Sequence, residues 1–414
     1  MRKDLSVFDI ETVRRDFPIL SRSVHGRKLA YLDNGATTFV PERVLAAVEE
    51  QYRSFQANVH RGVHYLSEQS TERVERVRFE TAGFINANSP EEIVFTSGTT
   101  GSINLAARAF SDGILQQGDR VITTQMEHHS NLVPWQEACR RSGAELDIVH
   151  MTDEGELDLN ELSRLLEKRP KLFAVAWVSN VLGTVNPLER IIPIAHAAGC
   201  PVLVDAAQAM RHGCVDVQAL DCDFLCFSGH KIMGPTGVGV LYGRREWLER
   251  LTPASFGGGM IDEVDTKKST FAEIPFKFEA GTPNIAGIIG LGAALRYLKD
   301  LGLPEIYARE AELLTYVGRM LGERGDLDVL GSPAERAGAI SFNVRGLSCY
   351  DAAKLLDQLG VAVRSGHHCA QPLLKRFSLT GAVRVTPAFY NTREEIDALC
   401  SGLDRIAALL DNKR

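Results

Sequence analysis

Short apolar runs alternate with longer amphipathic stretches through the middle of this 414-residue chain. The apolar runs are rich in β-branched and aromatic residues and predict strands at 91–96, 119–124, 146–151, 171–179, 201–206 and 224–229. Between them, apolar residues recur every three or four positions, which predicts helices at 102–110, 131–143 and 159–169. Strands that alternate with helices form a mostly parallel sheet with helices on both faces. The sequence therefore predicts an α/β fold.

The pattern changes towards the C-terminus. Residues 237–243 follow the preceding strand too closely for a helical crossover, so we expect an antiparallel strand there. Beyond them we predict a long bridging helix at 285–302 and further helices at 304–324 and 392–410. The last of these begins with a capping box formed by Thr392 and Glu395. Two short strands are predicted at 339–344 and 361–366. We expect a large α/β domain over 20–297 and a smaller α+β domain over 298–414, with residues 1–19 packed against the smaller one.

Composition and charge exclude several classes of protein. The net charge is 46 − 53 = −7 without any basic tract, which argues against a nucleic-acid partner. No apolar run approaches the ~18–20 residues that span a bilayer, and the charged first twenty residues do not resemble a targeting peptide. The eight cysteines form no C-x-x-C pair, which favours a reducing cytoplasm over disulfides or a zinc site. We predict a cytoplasmic protein without a membrane partner or a metal.

Polar residues follow several of the predicted strands. In a parallel sheet these strand ends lie at one edge, where ligands bind. The segment TSGTTGS (96–102) leads directly into a helix, so backbone N–H groups and the hydroxyls of Thr99 and Thr100 could hold an anion there. An ordinary turn is equally compatible with this segment. The absence of a Gly-Lys-Ser/Thr triplet excludes a P-loop.

Three further strand ends carry a histidine pair, an acid and a lysine. His128 lies within EHHSN, Asp205 ends the run PVLVD, and Lys231 follows in SGHK. Each residue alone is most often structural or solvated. Together with the anion cradle they supply what pyridoxal phosphate requires: a lysine for covalent attachment, an acid for the ring nitrogen and a ring for stacking.

The sequence resembles the group II (SufS-type) cysteine desulfurases, which belong to the class V aminotransferase group of fold-type-I pyridoxal-phosphate enzymes. The resemblance runs from about residue 15 to the C-terminus. It rests on motifs that occur in family order, namely TSGTTGSINL, EHHSNLVPW, SNVLGT, VDAAQA, SGHKIMGPTGVGVLYG, FEAGTPN and RSGHHCAQPL. It implies a fold-type-I architecture, in which helices enclose a mostly parallel sheet beside a smaller α+β domain, and a homodimer.

The resemblance also implies an activity. L-cysteine would be converted to L-alanine, leaving a persulfide on Cys369, and the sulfur would pass to a SufE-like acceptor and an iron–sulfur scaffold protein. Selenocysteine lyase activity and another class V aminotransferase reaction remain alternatives. The aminotransferase would have no use for Cys369.

The family's motifs assign roles residue by residue. Cys369, Lys231 and His128 would be catalytic. Pyridoxal phosphate would be held by Thr99, Thr100, His128, Asp205, Gln208, Ser228, His230 and Lys231, with Thr282 reaching the phosphate of the other subunit. The substrate would contact Asn180, Arg384, Arg364 and His60.

Cys369 has a structural alternative, and the sequence departs from the family pattern at two places. Cys369 lies in the polar loop SGHHCAQP, where packing does not require a cysteine, although a buried structural thiol is the alternative. The segment LSCYDAA (347–353) lacks the histidine of members that use a zinc-containing acceptor, which favours a SufE-like acceptor. Pro387 falls in a segment expected to be a strand, where proline removes a backbone donor, so it could alter the pocket.

Overall fold

The structure, a computed structural model, describes residues 9–411. Its helices are α1 Ile10–Arg15, α2 Glu42–Ser54, α3 Tyr65–Phe84, α4 Thr99–Gly113, α5 Val133–Ser142, α6 Leu159–Leu166, α7 Leu188–Ala197, α8 Val217–Leu220, α9 Arg245–Arg250, α10 Ile285–Leu301, α11 Leu303–Gly322, α12 Cys349–Asp357, α13 Gln371–Arg376 and α14 Arg393–Asp411. Its strands are β1 Ser23–Val24, β2 Arg27–Lys28, β3 Ala30–Tyr31, β4 Ile93–Thr96, β5 Arg120–Thr124, β6 Glu145–Val149, β7 Leu172–Ala176, β8 Val202–Asp205, β9 Phe224–Ser228, β10 Gly239–Gly243, β11 Ile261–Val264, β12 Ser269–Phe271, β13 Leu327–Val329, β14 Ile340–Val344, β15 Val361–Ala362, β16 Arg364–Gly366 and β17 Ala382–Val385.

A seven-stranded sheet forms the centre of the molecule, with the order β4-β10-β9-β8-β7-β5-β6. Strands β5 to β9 pair in parallel. Strand β10 is antiparallel to both of its neighbours, as its short connection predicted. All six strands predicted between residues 91 and 229 are present, each within a few residues of its expected bounds. The predicted fold class is therefore confirmed.

Both faces of this sheet are apolar. Successive side chains of a strand point to opposite faces, and apolar residues occupy both positions. In β9, Leu225 and Phe227 belong to the core on the side of α3, α6, α7 and α10. Phe224 and Cys226 belong to the core on the side of α4, α5 and α9. With both faces covered, only the sheet's edges and strand ends can bind ligands.

Helix α10 corresponds to the long helix predicted at 285–302, and it packs very closely against its neighbours. A Cβ atom at Gly290 would lie 2.8 Å from Val48 of α2, and one at Gly292 would lie 2.4 Å from Val77 of α3. Only glycine permits such an approach. Asn284 caps the helix by accepting a hydrogen bond from the Gly287 N–H.

A second, four-stranded antiparallel sheet lies in the C-terminal part of the chain, with the order β13-β14-β17-β16. Apolar side chains from this sheet and from α11, α12 and α14 form a separate core cluster. The single strand predicted at 361–366 is wrong. Its first half, β15, pairs in parallel with β3, and its second half, β16, pairs with β17. The chain changes partner at Val363, between two different sheets.

Pro387 does not interrupt a strand, contrary to the expectation. Strand β17 ends at Val385, two residues earlier. The Thr386 N–H still donates to the Leu32 carbonyl at 2.7 Å, so the ladder loses no donor at the proline.

The N-terminal segment contacts both α10 and the C-terminal residues. Phe17 packs against Tyr297 and Phe389, and Arg14 donates to the Tyr390 carbonyl at 2.6 Å.

Glu395 Oε2 accepts from the Thr392 N–H at 3.3 Å, which is one half of the predicted capping box. The domain bounds stay a prediction, and residues 1–8 and 412–414 lie outside the described residues. Within 9–411, no helix is both long and apolar enough to cross a membrane.

Candidate active site

The ends of β8 and β9 open into a cavity of about 400 Å³ between the central sheet and the loop that follows β16. Ten of the residues predicted for the site line this cavity, namely Thr100, His128, Asn180, Gln208, Ser228, His230, Lys231, Arg364, Cys369 and Arg384. They come from segments up to 284 positions apart in the chain, from 100 to 384. The fold thus gathers most of the predicted residues at one edge of the sheet.

Lys231 lines the cavity, and Asp205, which is buried at the end of β8, influences its charge. Lys231 ends a short 3₁₀ turn, Gly229–Lys231, immediately after β9. Burial lowers the pKa of Lys231 to about 8, with Asp205 opposing this shift and Arg384 adding to it. The buried carboxylate of Asp205 accepts a hydrogen bond from the Ala207 N–H at 2.9 Å. Burial raises the pKa of Asp205, and Lys231 counteracts that rise.

His128 is held as a neutral ring at the rim of the cavity. Its Nδ1 accepts from the Ser130 N–H at 3.1 Å and also contacts the Ser130 hydroxyl. Burial lowers the pKa of His128 to about 3, and Lys231 lowers it further. Gln208 Nε2 donates to the Gly35 carbonyl at 2.8 Å, which fixes its amide at the cavity wall.

The predicted anion cradle lies at the N-terminus of α4. That helix begins at Thr99, earlier than expected, after Gly98 in an extended positive-φ conformation (φ 143°). The Thr99 N–H donates to Ser228 Oγ at 2.8 Å, and the Thr99 and Ser228 hydroxyls are also 2.8 Å apart. Thr99 thus supports Ser228, whereas Thr100 and Ser228 face the cavity. Burial lowers the pKa of the neighbouring His230 to about 4.

Arg384 lies on β17, almost fully buried. Its Nη1 donates to the Asn180 carbonyl at 2.9 Å and its Nη2 to Asp33 at 3.2 Å. Asp33 also accepts from the half-exposed Arg364 at 3.0 Å. The Nε of Arg384 is buried without a hydrogen-bond partner among the described residues. Arg384 lines the cavity, and a guanidinium group is suited to a carboxylate ligand.

Cys369 lies in the loop between β16 and α13 and lines the cavity with partial exposure. Cys369 and His368 both adopt left-handed backbone conformations, with φ of 53° and 50°. Asn180 Nδ2 anchors the loop from outside by donating to the His368 carbonyl at 2.8 Å. Within the loop, the Cys369 N–H donates to His367 Nδ1 at 3.0 Å.

Thr282 and His60 do not line this cavity. They line a separate one of about 460 Å³, together with Asn58, Arg61 and Phe276. Asn58 Nδ2 donates to Thr282 Oγ1 at 3.3 Å. In the single chain His60 lines this second cavity and not the one that holds Lys231, and its role in the substrate pocket stays a prediction.

Sequence reasoning missed several residues of the site. Asp33 pairs with both arginines, and Tyr350 and His367 line the cavity. Buried Glu127 accepts from Asn131 Nδ2 at 2.7 Å and from the Ala176 N–H at 3.0 Å, and burial raises the pKa of Glu127 to about 8. The only sequence signal for Glu127 was its position beside His128. Within 9–411, no group of three or more possible ligand side chains is placed to hold a metal.

The sequence profile of the aminotransferase class-V family matches residues 30–399. The chain therefore belongs to this family, and pyridoxal phosphate is its cofactor, as predicted.

Its relatives include a protein named cysteine desulfurase from Cronobacter sakazakii, 50% identical over 97% of this chain and 99% of the relative. Two solved structures each have a TM-score of 0.90. One is the cysteine desulfurase of Thermococcus onnurineus, 41% identical over 96% of this chain and 97% of the other. The second is the cysteine desulfurase CsdA of Escherichia coli, 38% identical over 98% of this chain and all of the other. The resemblance found in the motifs is confirmed.

The residues of the cavity fit pyridoxal phosphate. The cofactor needs a lysine that can lose its proton, a carboxylate for the ring nitrogen and donors for a phosphate. Lys231, with a pKa lowered to about 8 by burial, and the buried Asp205 meet the first two needs. Thr100, Ser228 and His230 line the same cavity and can meet the third.

Proposed function

We propose that this chain is a cysteine desulfurase that converts L-cysteine to L-alanine and retains the sulfur as a persulfide on Cys369. The observation that carries the proposal is the shared cavity of Cys369, Lys231 and Arg384. A class V aminotransferase without sulfur chemistry has no need of a thiol at that position. The cysteine desulfurases that are 50% identical over nearly the whole chain support the same conclusion.

Two groups of side chains position the reactants. The cofactor's ring would be held by Lys231, Asp205, Gln208 and His128. Its phosphate would be bound by Thr100, Ser228 and His230, with Thr99 supporting Ser228. When bound, pyridoxal phosphate withdraws electrons from the Cα of the amino acid. Arg384 and Asn180 would bind the substrate carboxylate, because the free Nε–H of Arg384 lacks a partner among the described residues. Arg364, tied to Asp33 at the exposed side, would lie at the entrance.

Lys231 Nζ would move the protons of the reaction. Because burial lowers its pKa to about 8, a substantial fraction of the free amine is neutral near physiological pH and can accept the Cα proton. Neutral His128 would keep the ring stacked without adding a positive charge beside Lys231.

Cys369 would accept the sulfur. Its thiolate attacks the substrate sulfur, an S–S bond forms, and the Cβ–S bond breaks with its electron pair passing to Cβ, which is then protonated. The sum is protein thiol plus cysteine to protein persulfide plus alanine, so atoms and electrons balance without an oxidant. The cavity would hold the two sulfurs together, and such proximity would supply much of the rate.

The persulfide would pass to a SufE-like acceptor protein for iron–sulfur cluster assembly. Cys369 is partly exposed, and the 60% exposed Tyr350 stands beside it at the entrance. Ser348 caps α12 by accepting from the Asp351 N–H, and the start of this helix lacks the histidine that zinc-exchanging members carry near it. An acceptor that offers its own thiol suits this entrance.

We further propose a homodimer in the cytoplasm. Thr282 and His60 lie away from the Lys231 cavity of their own chain, which supports a role in the partner's site. Val63 and Tyr65, which follow residues 58–61 of the second cavity in the chain, are apolar and 95% and 68% exposed, as expected of an interface. Phe79 of α3 is 67% exposed. All eight cysteines are free thiols, which suits a reducing compartment.

The test is product analysis with the cofactor-loaded chain. Wild type incubated with L-cysteine and a reductant should release alanine and sulfide in equal amounts, and Cys369→Ala should lose both. Cys214→Ala, which changes an exposed thiol, is the matched control and should behave as wild type. If Cys369→Ala forms alanine and sulfide at the wild-type rate, the persulfide route is wrong. If L-selenocysteine alone is turned over, the chain is a selenocysteine lyase instead.

A further inference from the structure

The turn after β5 carries two consecutive histidines that serve different parts of the site. His128 faces the cofactor cavity. His129, which begins the 3₁₀ turn His129–Asn131, instead contacts the loop that carries Cys369. The proposed mechanism assigns no task to His129.

Three contacts join His129 to this loop. The His129 N–H donates to the Cys369 carbonyl at 2.6 Å. The Gln371 N–H donates to His129 Nε2 at 3.3 Å. The His129 and His367 rings stack, with centroids 5.7 Å apart and planes inclined by 28°. The contacts fall on residues 367, 369 and 371, so they bracket the thiol.

The loop needs such support because its backbone is strained. His368 and Cys369 are consecutive non-glycine residues in the left-handed region, a backbone conformation that is sterically unfavourable for residues with a Cβ atom. Strained backbone of this kind persists where neighbouring contacts hold it. The His129 N–H holds the carbonyl of Cys369 itself, and the stacked ring fixes His367, whose Nδ1 accepts from the Cys369 N–H.

The hydrogen bond from Gln371 requires a neutral His129 ring, because Nε2 must offer a lone pair. Burial lowers the pKa of His129, and the neighbouring His367 lowers it further. The ring is therefore an acceptor at neutral pH.

We propose that His129 is a positioning residue for Cys369: it ties the loop that carries the thiol to the turn that carries His128. Nucleophile and cofactor would then keep a fixed separation, because adjacent residues anchor both. This inference rests on the proposed function, since it assumes that Cys369 attacks a substrate sulfur bound to the cofactor. It predicts an effect on sulfur transfer and not on substrate binding.

Three substitutions separate the two side-chain contacts of His129 and leave its backbone hydrogen bond to the Cys369 carbonyl in place. His129→Phe keeps a flat ring but lacks the acceptor, His129→Gln keeps an acceptor near the position of Nε2, and His129→Ala lacks both. With cofactor-loaded protein and L-cysteine, we expect kcat to fall about 10- to 100-fold in the Phe and Ala variants, as for a nucleophile displaced by about 1 Å. KM should stay near the wild-type value, and His129→Gln should recover most of the rate. His150→Ala, at an exposed histidine, is the control.

A second readout does not depend on turnover. Iodoacetamide is added to the cofactor-free chain, and the alkylation of each cysteine is followed by peptide mass spectrometry. Release of the loop should speed alkylation of Cys369 about threefold or more in His129→Ala, because local opening exposes the thiol. The exposed Cys214 is the internal reference and should react at an unchanged rate in every variant.

The outcomes distinguish this inference from the proposed function. If wild type forms no alanine, the proposed function fails, and the alkylation rates still decide whether His129 holds the loop. If wild type is active and His129→Phe and His129→Ala match it in kcat and in Cys369 alkylation, the positioning role is overturned. A raised KM with unchanged kcat would overturn it too, because His129 would then act on binding.

Discussion

Lys231 is the residue whose surroundings define the chemistry of the cavity. Burial disfavours its ammonium form, Asp205 favours it, and Arg384, Arg211 and Arg364 disfavour it again, so that its pKa lies at about 8. An ordinary lysine titrates near 10.4. The cavity therefore keeps a larger fraction of this amine neutral, and able to accept a proton, than an ordinary lysine has at neutral pH.

This lowered pKa predicts a pH dependence. Only the neutral amine accepts the Cα proton, so the rate of proton abstraction should rise about tenfold per pH unit below 8 and level off above it. Exchange of the L-alanine Cα proton with solvent deuterium reports this step, and Cys369→Ala removes the contribution of the thiol. A rate that is flat between pH 6 and pH 9, or that falls as the pH rises, would rule out Lys231 as the base.

The site residues that could be predicted from the sequence differ from those that could not in the strands that precede them. Lys231, Asp205 and His128 each follow an apolar strand, and that position marked them. Asp33 follows only the two-residue strand β3, and its partner Arg384 lies 351 positions away. No local pattern encodes such a pair, so it emerges only when the chain is folded.

At the scale of elements, Arg78 of α3 holds together the segment that leads to Thr282. It is 2% exposed, donates to Glu279 at 2.7 and 2.9 Å, and stacks over the Phe95 ring. Burial opposes its charge, but the Glu279 and Glu75 carboxylates raise the pKa of Arg78 above its usual value. Glu279 begins the motif EAGTPN, so this ion pair anchors the Thr282 loop to α3.

Arg78→Ala should lower the free energy of unfolding by about 3–5 kcal/mol, because Glu279 would be left as an unpaired buried charge. Arg76→Ala is the matched control on the same helix. It removes only the exposed i,i+4 pair with Glu72, worth roughly 0.5 kcal/mol or less.

Urea unfolding at one protein concentration compares the two variants, since dimer stability depends on concentration. Equal, small losses in both would show that the Arg78–Glu279 pair does not stabilise the fold.

Element types could be predicted better than element partners. The apolar runs predicted every strand of the central sheet from β4 to β10, because burial on both faces leaves a continuous signal. The same logic failed at 361–366, where one apolar run supplies β15 to one sheet and β16 to another. Pro387 was misjudged for a similar reason, since strand β17 ends at Val385 and no local pattern marks that end.

At the scale of the whole molecule, the proposed dimer makes each site from two chains. At limiting cofactor, neither a Lys231→Ala chain nor a Thr282→Ala chain should form alanine. The first lacks the proposed base. The second loses a hydrogen bond to the phosphate, which weakens cofactor binding about 10-fold or more. A dimer of one chain of each kind has one intact site. Co-expressed with different tags and purified through both, such dimers should exceed both parents in activity. Activity no higher than that of the parents would contradict a shared site.

In the proposed reaction Cys369 carries the sulfur. Intact-protein mass spectrometry tests it most directly, after one equivalent of L-cysteine is added to the cofactor-loaded chain without reductant. We expect the mass to increase by one sulfur atom, located on the peptide that contains Cys369, with one alanine formed for each sulfur bound. Alanine without added sulfur, or sulfur on another cysteine, would contradict it.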